Sequence, residues 1–248
     1  MAKIIRYAVY LIIMIGAFFQ FNCIPAPVFR LETGEKENDW YYGRQVITKE
    51  DSLNRVQLTF EDIQENNYVF YLEIKNKSEF KEVVDPAEIY LESYYPVDSE
   101  KTITLSRINA CDPEKQIISI DKSINQTNSA ENTRRGLSCL VSAVDFTSTV
   151  TKIGKKRSKE EIEEENRERE NRRIDNENAE AEYKEKNDRL NDNRSYWQND
   201  TFRKTTLENG QNAGGYIHIP FWGSAKYLRI VIPVEKSKYI FRYKQTAQ

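Results

Sequence analysis

Hydrophobic and polar positions follow two different periods along the chain. Val56, Leu58 and Phe60 alternate with Gln57, Thr59 and Glu61, and Phe70, Leu72 and Ile74 alternate with Tyr71, Glu73 and Lys75. Period two with one wet face predicts the arms of an antiparallel hairpin, turned at Asn66 and Asn67. Strand-like runs follow at residues 89–95 and 102–107, set off by Asp85-Pro86 and Tyr95-Pro96. Late in the chain the alternation returns. Residues 216–221 follow Gly214-Gly215, Leu228, Ile230, Ile232 and Val234 alternate with Arg229, Val231 and Pro233, and residues 239–243 place aromatics at every second position. Pro233 cannot donate a ladder bond, which places it at an edge or at a strand end.

Between these sets the period becomes helical. Asp112-Pro113-Glu114 opens a helix with an N-cap and a proline at the first helical position. Ile117, Ile120 and Ile124 share one face, as do Leu137, Leu140, Val141 and Val144, and the polar run at residues 128–133 predicts a turn between them. A third helix is predicted from Ser158 to Trp197. Ser158 and Glu161 fit a capping box. Acid precedes base by four residues in six pairs: Glu163/Arg167, Glu165/Arg169, Glu168/Arg172, Glu180/Lys184, Glu182/Lys186 and Glu185/Arg189. Together such pairs support a helix by about 1–3 kcal/mol at low salt. A helix of about forty residues spans about 60 Å. Its apolar stripe is thin, with Tyr183, Leu190 and Trp197 seven apart. That stripe predicts a projecting helix whose C-terminal half docks or binds a partner while the first half stays in water, either unbroken or interrupted at residues 175–178.

The elements add up to an α+β protein. About seven strands form an antiparallel sandwich over residues 40–248, with a helical insertion at residues 112–200 that includes the long charged helix. The strand count is similar to that of immunoglobulin-like sandwich domains of exported bacterial proteins, a resemblance without a diagnostic motif that carries no function.

Charge removes one class of partner. The net charge is −2, and the charged segment at residues 155–197 nearly cancels within itself, with 12 basic and 14 acidic residues. No basic face for nucleic acid is implied. The N-terminus adds more. Lys3 and Arg6 precede an apolar run at residues 7–21, short for a bilayer span, and Cys23 follows. This resembles a bacterial lipoprotein signal peptide, in which the cysteine after the apolar run is lipidated and becomes the mature N-terminus. The resemblance implies a signal peptide at residues 1–22, a lipid-anchored Cys23, a tether at residues 23–39 and a place in the cell envelope. The residues alone also leave open an uncleaved anchor and cleavage by an ordinary signal peptidase.

Chemistry is sparse. Cys111 and Cys139 either pair in an oxidising compartment or remain small buried thiols. His218, the single histidine, sits in a strand pattern on the polar side and reads as half-exposed. No HExxH, Walker loop or GxGxxG is present, so no metal or cofactor is implied. Aromatics cluster at Trp40-Tyr41-Tyr42, Tyr94-Tyr95 and Phe221-Trp222, and the tip at Phe221 and Trp222 is the favoured contact surface among them. The resulting expectation is a non-enzymatic envelope lipoprotein that engages a protein partner through Tyr183, Leu190 and Trp197. The alternative is a carbohydrate or small-ligand module using aromatic loop tips, and a hydrolase built on His218 comes third.

Overall fold

The computed structural model describes residues 28–35, 38–97, 102–151 and 158–247. The expected signal peptide at residues 1–22 and Cys23 lie outside them. Two five-stranded antiparallel sheets carry the fold. The first orders β1 (Phe29–Thr33), β12 (Ser237–Ala247), β11 (Tyr227–Val234), β7 (Tyr90–Pro96) and β8 (Thr102–Asn109). The second orders β10 (Asn212–Pro220), β5 (Asn67–Asn76), β4 (Asn54–Gln64), β3 (Arg44–Glu50) and β2 (Asn38–Tyr41). A small two-stranded sheet pairs β6 (Glu82–Val84) with β9 (Thr205–Leu207).

The alternating residues explain the layering. Leu58, Phe70, Leu72 and Ile74 from the second sheet and Leu91, Leu228, Ile230 and Phe241 from the first belong to one buried cluster. The rings of Phe70 and Tyr243 meet across the layer at 5.6 Å. Tyr239 donates to Asp51 at the start of β4, while Tyr68 on β5 donates to Gln245 near the end of β12. These two bonds show that β4 and β12 run in the same direction on facing sheets. Pro233 pairs with Lys238 beside the hairpin turn, beyond Val231, the last β11 residue matched to β7. Its missing N–H is therefore harmless.

The described residues hold twelve strands, where the sequence pattern predicts about seven. Of the additional ones, β1 and β2 lie at edges and β6 and β9 have three residues each, while β3, inside its sheet, shows no clear period because Ile47 is its one fully buried side chain. β1 also begins inside the stretch expected to be a tether, pairing Phe29 with Ala247 and Thr33 with Tyr243.

Two helices replace the three expected, and both lie between β8 and β9: α1 (Pro113–Thr151) and α2 (Lys159–Asn199). Residues 128–133 continue α1 without a turn. They contain neither proline nor glycine, and Thr133 returns its hydroxyl to the Ser129 carbonyl. α2 is also unbroken at residues 175–178, and its capping box at Ser158 and Glu161 forms as the spacing predicts. Pairs Glu165/Arg169, Glu168/Arg172 and Glu185/Arg189 close at 2.9, 3.7 and 3.1 Å. Among the described residues, no helix is long and apolar enough to cross a membrane.

Candidate functional site

The two helices run antiparallel as one arm, about 60 Å long at 1.5 Å per residue. Both of its ends are fixed to β10. At the outgoing end, the Cys111 N–H donates to the His218 carbonyl. At the returning end, Tyr216 N–H donates to Asp200 and Phe202 N–H donates to Tyr216. The chain passes so close there that a Cβ on Gly215 would lie 2.5 Å from the Phe202 nitrogen. Arg203 grips Glu114 with two bonds of 2.8 Å, a bidentate fork that closes the base.

His218 seals this junction. It is 8 % exposed, contrary to the half-exposed strand histidine that alternation predicts. Alternation does not reveal that α2 covers the outer face of β10 here. The imidazole Nε2 lies 2.9 Å from the Tyr196 hydroxyl, and the Trp197 ring packs 4.7 Å away. Burial pushes the His218 pKa below its ordinary value, against an upward pull from Glu65. Burial also raises Tyr196 to about 12. A cleft of about 530 Å³ opens beside them, lined in part by Glu65, Asn67, Arg189 and Asp192.

Above the base, the seam between α1 and α2 is largely polar. Arg194 bonds Asp121 at 2.6 Å, Tyr183 donates to Asn128 at 2.9 Å, Arg134 reaches Asn176 at 2.9 Å and Arg135 reaches Glu180 at 3.1 Å. Glu131, buried in the seam, accepts bonds from Arg134 and Arg135, which hold its carboxyl down to about 2. Ile120 is the buried aliphatic of the arm among its described side chains.

Farther out the cover thins among the described side chains. Leu137, Leu140 and Val141 on α1 are exposed, Leu140 by 65 %. A groove of about 830 Å³ runs beside them between the helices, with Arg135, Arg169, Arg172 and Arg173 among its lining.

Of the two fates expected for the stripe of the long helix, docking or binding a partner, docking is the one seen within the chain. Tyr183, Leu190 and Trp197 are half-buried, and Tyr183 and Trp197 find their partners within the chain, on α1 and His218. Their stripe is the inner face of the arm, so it is not a free contact surface. Phe221 and Trp222 pack against the core, with Phe221 between Phe29 at 4.9 Å and Tyr68 at 5.1 Å. That aromatic pair is a plug. The exposed aromatic tip is Trp40-Tyr41-Tyr42 on the β2–β3 turn, where Tyr42 is 90 % exposed. Sequence pattern missed it because all three clusters look alike until the sheet edge is known.

The cysteines do not pair. Cys111 precedes α1 and Cys139 lies 28 residues on along the same unbroken helix, about 40 Å away, where a disulfide needs Cα atoms within about 7 Å. The Cys111 thiol faces Asn67 Oδ1 at 3.7 Å, and burial raises its pKa. Among the described residues, no group of three or more His, Cys, Asp or Glu is placed to hold a metal. Chemically the arm offers an apolar stripe beside a groove of ion-paired guanidiniums and carboxylates, and the β2–β3 turn offers three exposed aromatic rings. Compared with protein-family models, curated proteins and solved structures, the chain matches none.

Proposed function

We propose that this protein is a non-enzymatic, membrane-tethered binding protein of the cell envelope, held through Cys23, whose helical arm engages an amphipathic helix of another envelope protein. The observation that carries the reading is the uncovered stripe Leu137, Leu140 and Val141 on the outer half of the arm. Fully burying one such side chain contributes about 1.5–3 kcal/mol, so three together supply useful affinity. Arg135, Arg169, Arg172 and Arg173 line the adjoining groove together with Asp175, Glu177 and Glu180 and are paired with acids of the arm itself, so the rim is charge-balanced and the apolar face of a partner helix supplies the attraction. The contact thus moves from the inner stripe, which the arm uses itself, to the outer one.

A photo-crosslinking residue placed at 140 in the intact chain tests this in envelopes. One discrete adduct, lost in a Leu137→Asp/Val141→Asp background that keeps its helix content, is the expected result. Unchanged adduct formation in that background removes the arm from the reading.

A further inference from the structure

The β2–β3 turn sets three exposed aromatics side by side, whereas Phe80 and Tyr95 are exposed singly. Trp40 and Tyr41 are each 66 % exposed, and the rings of Tyr41 and Tyr42 meet edge to face at 4.5 Å. Tyr42 holds φ at +47° and Gly43 at +77°, a pair typical of a tight two-residue turn in which Asn or Asp normally takes the first place. A tyrosine there costs backbone energy and leaves its ring in solvent. Among the described residues, local structure gives no reason for the choice, since the ring meets only that of its neighbour Tyr41.

Position supplies the reason. Glu35, just after β1, pairs with Lys49 on β3 at 2.7 Å and so ties the two sheets together at this edge. From that tie, β1 runs back six residues to Phe29, and β3 runs back five residues to Arg44. Both run toward the same end of the sandwich, because β1 opposes β12, β3 opposes β4, and β4 and β12 are co-directional. The start of the sheet and the aromatic turn therefore share one end and one edge. Between Cys23 and Phe29 lie six residue steps, a reach of about 20 Å at full extension. An anchor at Cys23 would keep this end of the sandwich within that distance of lipid.

We propose that Trp40, Tyr41 and Tyr42 form a second membrane contact, seating in the headgroup region beside the anchored N-terminus. The inference rests on the anchored reading above. Trp and Tyr carry an apolar body with a polar tip, the combination favoured at the bilayer interface. Arg44 is neutralised by Glu61 at 2.6 Å, so the contact needs no anionic lipid. A second contact beside the anchor adds buried area and fixes how the sandwich is oriented over the bilayer.

The test uses the full chain, purified with its native N-terminus and reconstituted into phosphatidylcholine vesicles with brominated acyl chains. Trp40 is one of three tryptophans, so its share of the emission is isolated by comparing wild type with Trp40→Phe, with Trp222→Phe as the control. The expected result is bromine quenching and a blue shift that vanish in Trp40→Phe and persist in Trp222→Phe. Floating of the chain with vesicles while Trp40 stays unquenched overturns the contact and leaves the anchor intact. A chain that stays in solution, unquenched, overturns both. Trp40-dependent retention on a polysaccharide column without quenching in vesicles overturns it in favour of a sugar-stacking turn.

Discussion

The sandwich and the arm are held together by opposite means. In the sandwich, Leu58, Phe70, Leu72, Ile74, Leu91, Leu228, Ile230 and Phe241 are fully shielded, and the energy comes from apolar area removed from water. Along α1 and α2, Ile120 is the buried aliphatic among the described side chains, and the contacts are Arg194–Asp121, Tyr183–Asn128 and the Glu131 cluster. In the sheets, burial of one face is strong and itself fixes the register, since a one-residue slip would turn every apolar side chain to water. Polar pairs contribute little each, yet fix which residue faces which. The sandwich thus supplies stability, and the arm supplies a defined shape resting on it.

That contrast breaks most visibly in the core. Phe70→Ala is expected to cost about 3–5 kcal/mol, read as a lower urea midpoint, with the helical signal lost in the same transition because the arm has no core of its own. A helical signal surviving the loss of the sheet would make the arm independent. Ile120→Ala is the mirror experiment, with an expected cost of about 2 kcal/mol confined to the arm. Hydrogen exchange should quicken in both helices while the amides of β4, β5 and β11 keep their protection.

The junction between the regions responds to pH. His218 has its folded pKa below the unfolded value, so the unfolded chain takes up the proton first. Its contribution is fully present above about 6.5, the ordinary histidine pKa, and is lost as pH falls through the lower folded value. Melting temperature should drop between pH 7.5 and 5, and His218→Gln should flatten that part of the drop. The smallest effect belongs to the turn: Tyr42→Asn relieves the positive φ and should add about 1 kcal/mol, raising the midpoint without altering the fold.

These regions also differed in how far their sequences could be read. β4, β5, β11 and β12 were legible because burial on one face imposes period two on Val56, Leu58, Phe70, Leu72, Ile230 and Ile232. β8 was visible as a run, although most of it is exposed, while β2, β6 and β9 were too short for a period to show. The start of α2 was legible in Ser158 and Glu161, since a cap is a local bond. The continuity of α1 through residues 128–133 was not. Asn128 and Glu131 look like turn residues until Tyr183, Arg134 and Arg135 supply their partners. The aromatic surface failed for the same reason: Phe221 is partly buried by Phe29 and Tyr68, which are distant in sequence, whereas among the described residues the Tyr42 ring meets only that of Tyr41.

Because the two legs of the arm are hydrogen-bonded to β10 and also continuous with β8 and β9, a pull at its far end has two routes into the sandwich. The backbone carries tension into β8 through Asn109 and into β9 through Thr205, while the bonds of Cys111, Asp200 and Phe202 load β10. β9 is joined to β6 by three matched pairs, against seven between β7 and β8 and nine between β10 and β5. Under tension the short β6–β9 sheet should open first.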